Sequence, residues 1–250
     1  MSPREIVNTI VLIEDVVEQY GVLDAYFVGG YPRTLAMGLP LTEVHDIDVA
    51  TGRPGRASQL AGLVASEGDA DDVHRHHRTS AITVTMGNVE VDFQGAEPHE
   101  DVRPYVRLAG VEETPITLNI FDRDFTMNAL AIKVGTTQII DYTKRAMPDI
   151  ERKMVVSVIP ADVSVPNDPL MITRGIRMAA KFGFRIDNDL WKAMRKNVRR
   201  LPKELSRERL AIEAYILSNY PQAREYMDTL GIEYLEEEAL VEMGEEESEG

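Results

Sequence analysis

The chain has 250 residues, of which 44% are apolar, a formal net charge of −15 and no cysteine. This composition excludes a disulfide framework, thiol chemistry and a zinc site built from cysteines, and it fits one large or two small globular domains. We expect a cytoplasmic protein without a signal peptide, because the first residues lack an uninterrupted apolar stretch and no apolar run is long enough to span a bilayer.

Apolar residues recur at helical or alternating spacing up to residue 93, and glycine or proline ends most runs. The predicted elements are, in chain order, a helix over 3–20, a strand over 25–28, a helix over 32–37, a strand over 46–50, a helix over 56–67 and a hairpin of strands 81–86 and 89–93. The polar stretch 94–120 predicts a long loop, since it carries Pro98, Pro104 and Pro115. A helical turn leading into a strand is expected over 121–134.

The second half of the chain predicts helices. Three prolines mark a boundary at 160–169, and helical spacing follows near 169–182, 187–199, 206–218 and 221–230. Residues 233–249 hold nine glutamates and no base, which is typical of a disordered acidic tail. We therefore expect a head domain over 1–158, a helical neck domain over 159–232 and an acidic tail over 233–250.

The charge is unevenly distributed along the chain. A net charge of −15 argues at first against a nucleic-acid partner. Residues 170–210, however, hold twelve bases against four acids, which is 12 − 4 = +8. This basic block is either a footprint for polyphosphate or nucleic acid or a solvated helical face.

The segment 27–51, FVGGYPRTLAMGLPLTEVHDIDVAT, carries residues that can bind an anion and metal ions. Gly29 and Gly30 let the backbone approach a bulky anion, and the next helix points its first N–H groups at that anion. Asp46 and Asp48 project from the same strand face, where two carboxylates can hold Mg²⁺ ions. A triphosphate site beside a metal pair predicts nucleotidyl transfer.

Four separated segments together resemble the class II CCA-adding tRNA nucleotidyltransferase and bacterial poly(A) polymerase family. They are the segment 27–51, VEVDF at 89–93, RDFTMNALAI at 123–132 and NDPLMITRGIRMAAKFGFRID at 167–187, with a weaker similarity in LSRERLAIE at 205–213. The resemblance implies an α+β fold, with a polymerase-β-like nucleotidyltransferase head, a small mixed sheet with helices, followed by an all-α neck. Longer members of the family carry further helical domains, so a compact variant is expected.

The resemblance also implies an activity. The chain would be a template-independent nucleotidyltransferase that adds nucleoside monophosphates from CTP or ATP to an RNA 3′ end, with tRNA as the acceptor. Catalysis would use two Mg²⁺ ions and release pyrophosphate.

The site residues of the family match positions of this chain. Asp46 and Asp48 would coordinate the metals, and Glu90 would be the third acid, although Asp92 shares its strand face and has no secure counterpart. The other matched residues would bind the nucleotide: Gly29, Gly30 and Arg33 at the triphosphate, Arg123, Asp124 and Asn128 at ribose and phosphate, and Asp168, Arg174 and Arg177 in the neck.

The chain departs from the family pattern in two places. Thr34 stands where the family has an aspartate, and Tyr31-Pro32 replaces small or branched residues and removes one N–H donor. In the neck, Asn167 and Met171 replace the glutamate and arginine that read the incoming base together with an aspartate. Selection between CTP and ATP is therefore open, and one base or several could be accepted.

Two other functions stay open. One is transfer of a nucleotide to a protein or small acceptor, which the altered neck motif favours. The other is a non-catalytic binding module for nucleotide or RNA, against which the intact Asp46 and Asp48 argue. His74, His76 and His77 could suggest a metal cluster, but without a partner at helical spacing they predict a solvated loop.

Overall fold

A computed structural model describes residues 2–52, 54–76, 81–95 and 102–232. The chain divides between Ile150 and Glu151 into two compact units. The predicted boundary after residue 158 lies inside the second unit, and the domain limits stay a prediction. His77 and the predicted acidic tail lie outside the described residues.

The strands of the first unit form a mixed sheet. In the part of the chain that the structure describes they are β1 (Ala25–Val28), β2 (Ile47–Thr51), β3 (Asp72–Arg75), β4 (Ile82–Met86), β5 (Val89–Gly95), β6 (Ala131–Lys133) and β7 (Ile139–Ile140). The order across the sheet is β3-β4-β5-β2-β1-β6-β7. Strands β2 and β5 are parallel and the other neighbours are antiparallel, which confirms the predicted mixed sheet.

Along the described part of the chain, α-helices are interspersed with these strands. They are α1 (Pro3–Tyr20), α2 (Gly30–Ala36), α3 (Pro54–Glu67), α4 (Arg103–Leu108), α5 (Pro115–Phe121) and α6 (Ala146–Glu151). Helix α1 begins at a capping box, in which Ser2 accepts from the N–H of Glu5 and the Glu5 carboxylate accepts in return, and it ends at Gly21. Its bounds confirm the predicted helix.

The two faces of the sheet differ in chemistry because side chains alternate along each strand. Ile47 and Val49 of β2, and Val91 and Phe93 of β5, are fully buried in the core cluster together with residues of α1 and α3. The side chains between them, Asp48 and Asp92, therefore point to the other face. This alternation brings polar groups together on the face away from the main core.

The prediction of a loop over 94–120 is wrong for the described part of that stretch. Helix α4 carries Pro104 in its first turn, and α5 begins with Pro115 behind a capping box of Thr114 and Thr117. A proline in the first helical turn loses no hydrogen bond, so the prolines that suggested a loop instead begin two helices.

The second unit is mainly helical. Its described elements are β8 (Met154–Val155), α7 (Ala161–Asn167), α8 (Met171–Phe182), β9 (Arg185–Ile186), α9 (Asn188–Asn197), α10 (Leu201–Glu204), α11 (Arg207–Ser218) and α12 (Ala223–Leu230). The four predicted helices are confirmed to within a few residues, and β8 and β9 add a two-residue parallel pair. Within the described ranges, no helix is both long and apolar enough to cross a membrane.

Candidate active site

Three neighbouring strands bring two carboxylates side by side on the polar face of the sheet. Asp48 of β2 lies opposite Asp92 of parallel β5. On its other side, Asp48 lies opposite Val28, the last residue of β1, directly before Gly29. Asp46 precedes β2 by one residue, and its side chain is exposed. Alternation along the sequence predicted that the side chains of Asp46 and Asp48 point to the same face of the sheet. The register of β2 with β5 places Asp92 beside Asp48 as well.

Asp48 has the most unusual environment of these groups. Burial raises its pKa from 3.8 to about 6, and the charges of Asp46 and Asp92 act in the same direction. The guanidinium groups of Arg123 and Arg33 oppose the shift, but they do not cancel it. Asp48 is therefore a largely buried carboxylate, with two carboxylate neighbours and too little nearby positive charge to offset its burial.

Gly29 makes room for this carboxylate. The residue has a φ of 69°, in the region that favours glycine, and a Cβ atom there would lie 2.1 Å from Oδ2 of Asp48. At Gly30 a Cβ would lie 3.6 Å from Oδ1 of Asp46, which is ordinary contact. The turn that was predicted to approach an anion is thus also the turn that admits the Asp48 carboxylate.

A hydrogen-bonded chain links helix α2 to the turn before β6. Arg33 donates through Nη1 to Oδ1 of Asn128. The amide of Asn128 donates to Oδ1 of Asp124 at 3.0 Å, and the same oxygen accepts from the N–H of Phe125 at 2.8 Å. Three residues predicted as nucleotide contacts are therefore connected to one another.

Arg123 lies beside the carboxylates. Its Nη1 atom is 3.7 Å from Oδ2 of Asp48, and both side chains are less than a fifth exposed, at 16% and 18%. Nη2 donates to Asn119 at 3.4 Å, one turn earlier in α5. The guanidinium is thus fixed next to the acid pair, where it can also donate to a phosphate.

The third predicted acid, Glu90, lies on β5 two residues before Asp92 and is not opposite Asp48. Its side chain is exposed, and its partner across the antiparallel pair is Thr85. The register places Asp92, not Glu90, opposite Asp48. Alternation along one strand could not separate the two residues, because both project from the same face. The role of Glu90 stays a prediction, while the geometry favours Asp92 as the third carboxylate.

Asp46, Asp48 and Asp92 fit a divalent-cation site that is completed by the phosphates of a bound substrate. Among the described residues, no three acidic, histidine or cysteine side chains converge as a metal site by themselves. Mg²⁺ sites commonly take one or two carboxylates from the protein and complete the shell with water and substrate phosphates. The raised pKa of Asp48 is what such a site produces before a cation is bound.

The departures near the glycines are packing residues. Thr34 is buried, with 1% of its surface exposed. Tyr31 packs edge-to-face on the core residue Phe27, with 5.5 Å between the ring centroids. Neither Thr34 nor Tyr31 adds a carboxylate to the polar face of the sheet.

In the second unit, Asp168 of the altered neck motif contacts Arg174. Asp168 ends α7, and its carboxylate accepts from the N–H of Leu170 at 3.1 Å and from the Nη2 of Arg174. Met171, where the family has arginine, is 3% exposed, and Asn167 is exposed. Arg174, one turn after Met171, is thus the arginine that contacts Asp168. Arg177 is half-buried.

Comparison with known proteins agrees with this fold. Residues 25–156 match the model of the poly(A) polymerase head domain. The tRNA nucleotidyltransferase cca2 of Schizosaccharomyces pombe is 34% identical over 146 residues, which are 57% of this chain and 29% of that protein. The CCA-adding enzyme of Staphylococcus saprophyticus is 30% identical over 201 residues, 78% of this chain and 46% of that enzyme.

A solved structure gives the same result. A tRNA nucleotidyltransferase complexed with a primer tRNA and an incoming ATP analogue superposes with a TM-score of 0.68 at 26% identity, covering 88% of this chain and 61% of that one. The chain spans less than half the length of the two relatives from Schizosaccharomyces pombe and Staphylococcus saprophyticus. From the head-domain match and these likenesses, the chain belongs to the class II CCA-adding and bacterial poly(A) polymerase family.

Proposed function

We propose that this protein is a template-independent nucleotidyltransferase that adds nucleoside monophosphates from CTP or ATP to the 3′ end of tRNA. Nucleotidyltransferases of this family generally use divalent metal ions, and we propose Mg²⁺. The observation that supports the proposal most strongly is Asp48, a buried carboxylate with a pKa of about 6 beside Asp46, Asp92 and the Gly29 turn.

The reaction forms one bond and breaks another. The oxygen of the RNA 3′-hydroxyl bonds to the α-phosphorus of the NTP, the bond from that phosphorus to the β-phosphate oxygen breaks, and pyrophosphate leaves. Asp46 and Asp48, with Asp92 or Glu90 as the third carboxylate, would hold the divalent ions. When bound, the ions would lower the pKa of the attacking hydroxyl, whose proton is released to solvent, and would neutralise charge on the leaving pyrophosphate.

The phosphates are bound by groups around the glycine turn. Gly29 and Gly30 let the chain approach the triphosphate, since neither has a side chain in the way. Arg33 and Arg123 bring two guanidinium groups close enough to Asp48 to influence its pKa. Guanidinium groups bind phosphate oxygens through charge-assisted hydrogen bonds, which are shorter and stronger than neutral ones.

We assign the sugar and the base of the nucleotide to different residues. We assign the ribose to Asp124 and Asn128, because a carboxylate can accept from a 2′-hydroxyl and so favour ribonucleotides. We assign the base to Asp168 with Arg174, since Arg174 supplies the guanidinium partner that Met171 cannot offer. Because Met171 replaces the family's arginine, the base preference of this chain is a result to measure.

Exposed cations of the second unit support RNA binding. Arg195, Lys196, Arg199 and Lys203 are exposed along α9, the turn after it and α10. Among the described residues, none of these four is paired with a carboxylate, whereas Lys192 contacts Asp189 at 2.9 Å. We name these four residues the α9–α10 basic surface. Unpaired cations on a helical surface are typical of contacts to phosphate.

A primer-extension experiment tests the proposal. The protein is incubated with Mg²⁺, each labelled NTP in turn, and tRNA transcripts that end before or within CCA. Extension of the tRNA supports the proposal, and the ladder shows which bases are added. Label on protein or a small acceptor, without extension, supports nucleotidyl transfer to another acceptor instead. Absence of incorporation with every acceptor, in wild type and Asp46→Ala alike, contradicts catalysis.

A further inference from the structure

A row of polar side chains extends from the edge of the sheet to the carboxylates. Thr83 of β4 lies opposite Asp92 of β5, which lies opposite Asp48 of β2. The hydroxyl of Thr83 contacts Oδ1 of Asp92 at 2.5 Å. Nε2 of His76, the residue after β3, contacts the same hydroxyl at 2.9 Å. The row joins an exposed histidine to the neighbour of Asp48.

When Asp92 is ionised, the direction of each hydrogen bond in this row is fixed. A carboxylate accepts only, and a threonine hydroxyl has a single proton. Thr83 therefore donates to Asp92 and must accept from His76, whose Nε2 carries a proton. His74 lies against the His76 ring, with 4.7 Å between the centroids. The hydrogen bonds thus run from His76 to Thr83 to Asp92.

We propose that Thr83 is a positioning residue that orients the Asp92 carboxylate for metal binding, and that His76 holds the Thr83 hydroxyl in place. This inference rests on the proposed function. A hydrogen bond to Oδ1 fixes the rotation of the carboxyl group and leaves Oδ2 as the oxygen available to a cation beside Asp48. Groups that hydrogen-bond to a metal ligand and orient it commonly contribute about 10–100-fold in metal affinity.

The test measures metal binding apart from turnover. The whole chain is titrated with Mn²⁺ in the presence of a non-hydrolysable CTP analogue, and free Mn²⁺ is counted by electron paramagnetic resonance. Thr83→Val removes the hydroxyl and keeps the shape, so we expect Mn²⁺ affinity to fall about tenfold or more. Thr83→Ser keeps the hydroxyl and should bind within about twofold of wild type.

The chain offers matched controls. Thr85 lies two residues further along β4 on the same face, opposite Glu90, so Thr85→Val makes the same chemical change away from Asp92. His76→Leu, which removes the N–H donor, should weaken Mn²⁺ binding, whereas His74→Leu should not. Because His76 is exposed, this pair tests the same row even where a change at Thr83 impairs folding, which thermal melting without metal detects.

The outcomes separate the inference from the proposed function. If Thr83→Val acts through Asp92, adding it to Asp92→Asn should cause no further loss of Mn²⁺ affinity. Wild-type Mn²⁺ affinity in Thr83→Val, with weak binding in Asp48→Asn, would overturn the role of Thr83 and leave the metal site standing. Undiminished binding in Asp48→Asn would instead overturn the proposed metal site.

Discussion

A Cβ atom at Gly29 would lie 2.1 Å from Oδ2 of Asp48 and 2.8 Å from Nη1 of Arg123. The glycine and the carboxylate therefore depend on one another: any other residue at 29 must displace Asp48 or move the turn. This contact joins the turn that we assign to the triphosphate with the carboxylate that we assign to the metal.

Gly29→Ala should reduce nucleotide incorporation about 100-fold, since a displacement of around 1 Å at a reacting group can have that effect. The matched control is Gly38→Ala. Gly38 has a φ of 65°, and its Cβ would meet no atom within 4 Å, so this variant carries the backbone strain without the collision. Equal activity losses in the two variants would show that strain alone, and not the displacement of Asp48, is responsible.

Asp48→Asn should change how stability depends on pH. Burial raises the pKa of Asp48 from 3.8 to about 6, so the folded protein binds more protons than the unfolded chain between these values. Stability without metal therefore falls as pH rises through that window. Near pH 7.5 the variant should be more stable by up to about 3 kcal/mol.

Urea unfolding in a metal chelator measures this effect. The stability gain of Asp48→Asn should shrink as pH is lowered through about 6 and vanish below about 4. A gain of the same size at both ends of the range would show that ionisation of Asp48 is not its source. Mg²⁺ with an NTP analogue should then stabilise wild type and leave Asp48→Asn unchanged.

Asn128→Ala should raise the KM for NTP about tenfold with a smaller effect on kcat. Asn128 accepts from Arg33 and donates to Asp124, and a hydrogen bond to a charged group contributes about 1.5–3 kcal/mol. Loss of the amide removes one hydrogen bond from each of these two side chains, which we assign to the nucleotide. Steady-state kinetics with varied NTP measures this, and a change confined to kcat would contradict a role in nucleotide binding.

Charge removal on the α9–α10 basic surface should weaken RNA binding without altering NTP binding. Arg195→Gln and Arg199→Gln should each reduce the slope of log affinity against log salt by about 1. Lys192→Gln is the control, because Lys192 is paired with Asp189. Fluorescence anisotropy with a labelled tRNA across a salt series measures the slopes. Equal slopes in all variants would contradict phosphate contacts at this surface.

The sequence predicted those parts of the fold that depend on local order. Alternation over the predicted strand 46–50 indicated that Asp46 and Asp48 project together, and the structure places Asp48 beside the glycine turn. The sequence alone could not distinguish Glu90 from Asp92, since both lie on one strand face. Only the pairing of β5 with β2 brings Asp92 opposite Asp48. Register is a long-range property that a single strand does not encode.

Two other features were hidden for physical reasons. Pro104 and Pro115 suggested a loop, yet each lies in the first turn of a helix, where proline is tolerated. The contact of Arg174 with Asp168 was not expected, because the motif drew attention to Met171. Met171 in place of an arginine indicated a missing guanidinium, whereas the structure shows that Arg174, about one helical turn later, donates to Asp168.

The metal-binding role of Asp48 is tested most directly by comparing wild type with Asp48→Ala in the extension of tRNA by labelled NTP with Mg²⁺. We expect wild type to add nucleotides to the 3′ end, and Asp48→Ala to be slower by about 1,000-fold and to melt as a folded protein. If Asp48→Ala, folded, extends the same tRNA within a few-fold of the wild-type rate, Asp48 does not hold a catalytic metal.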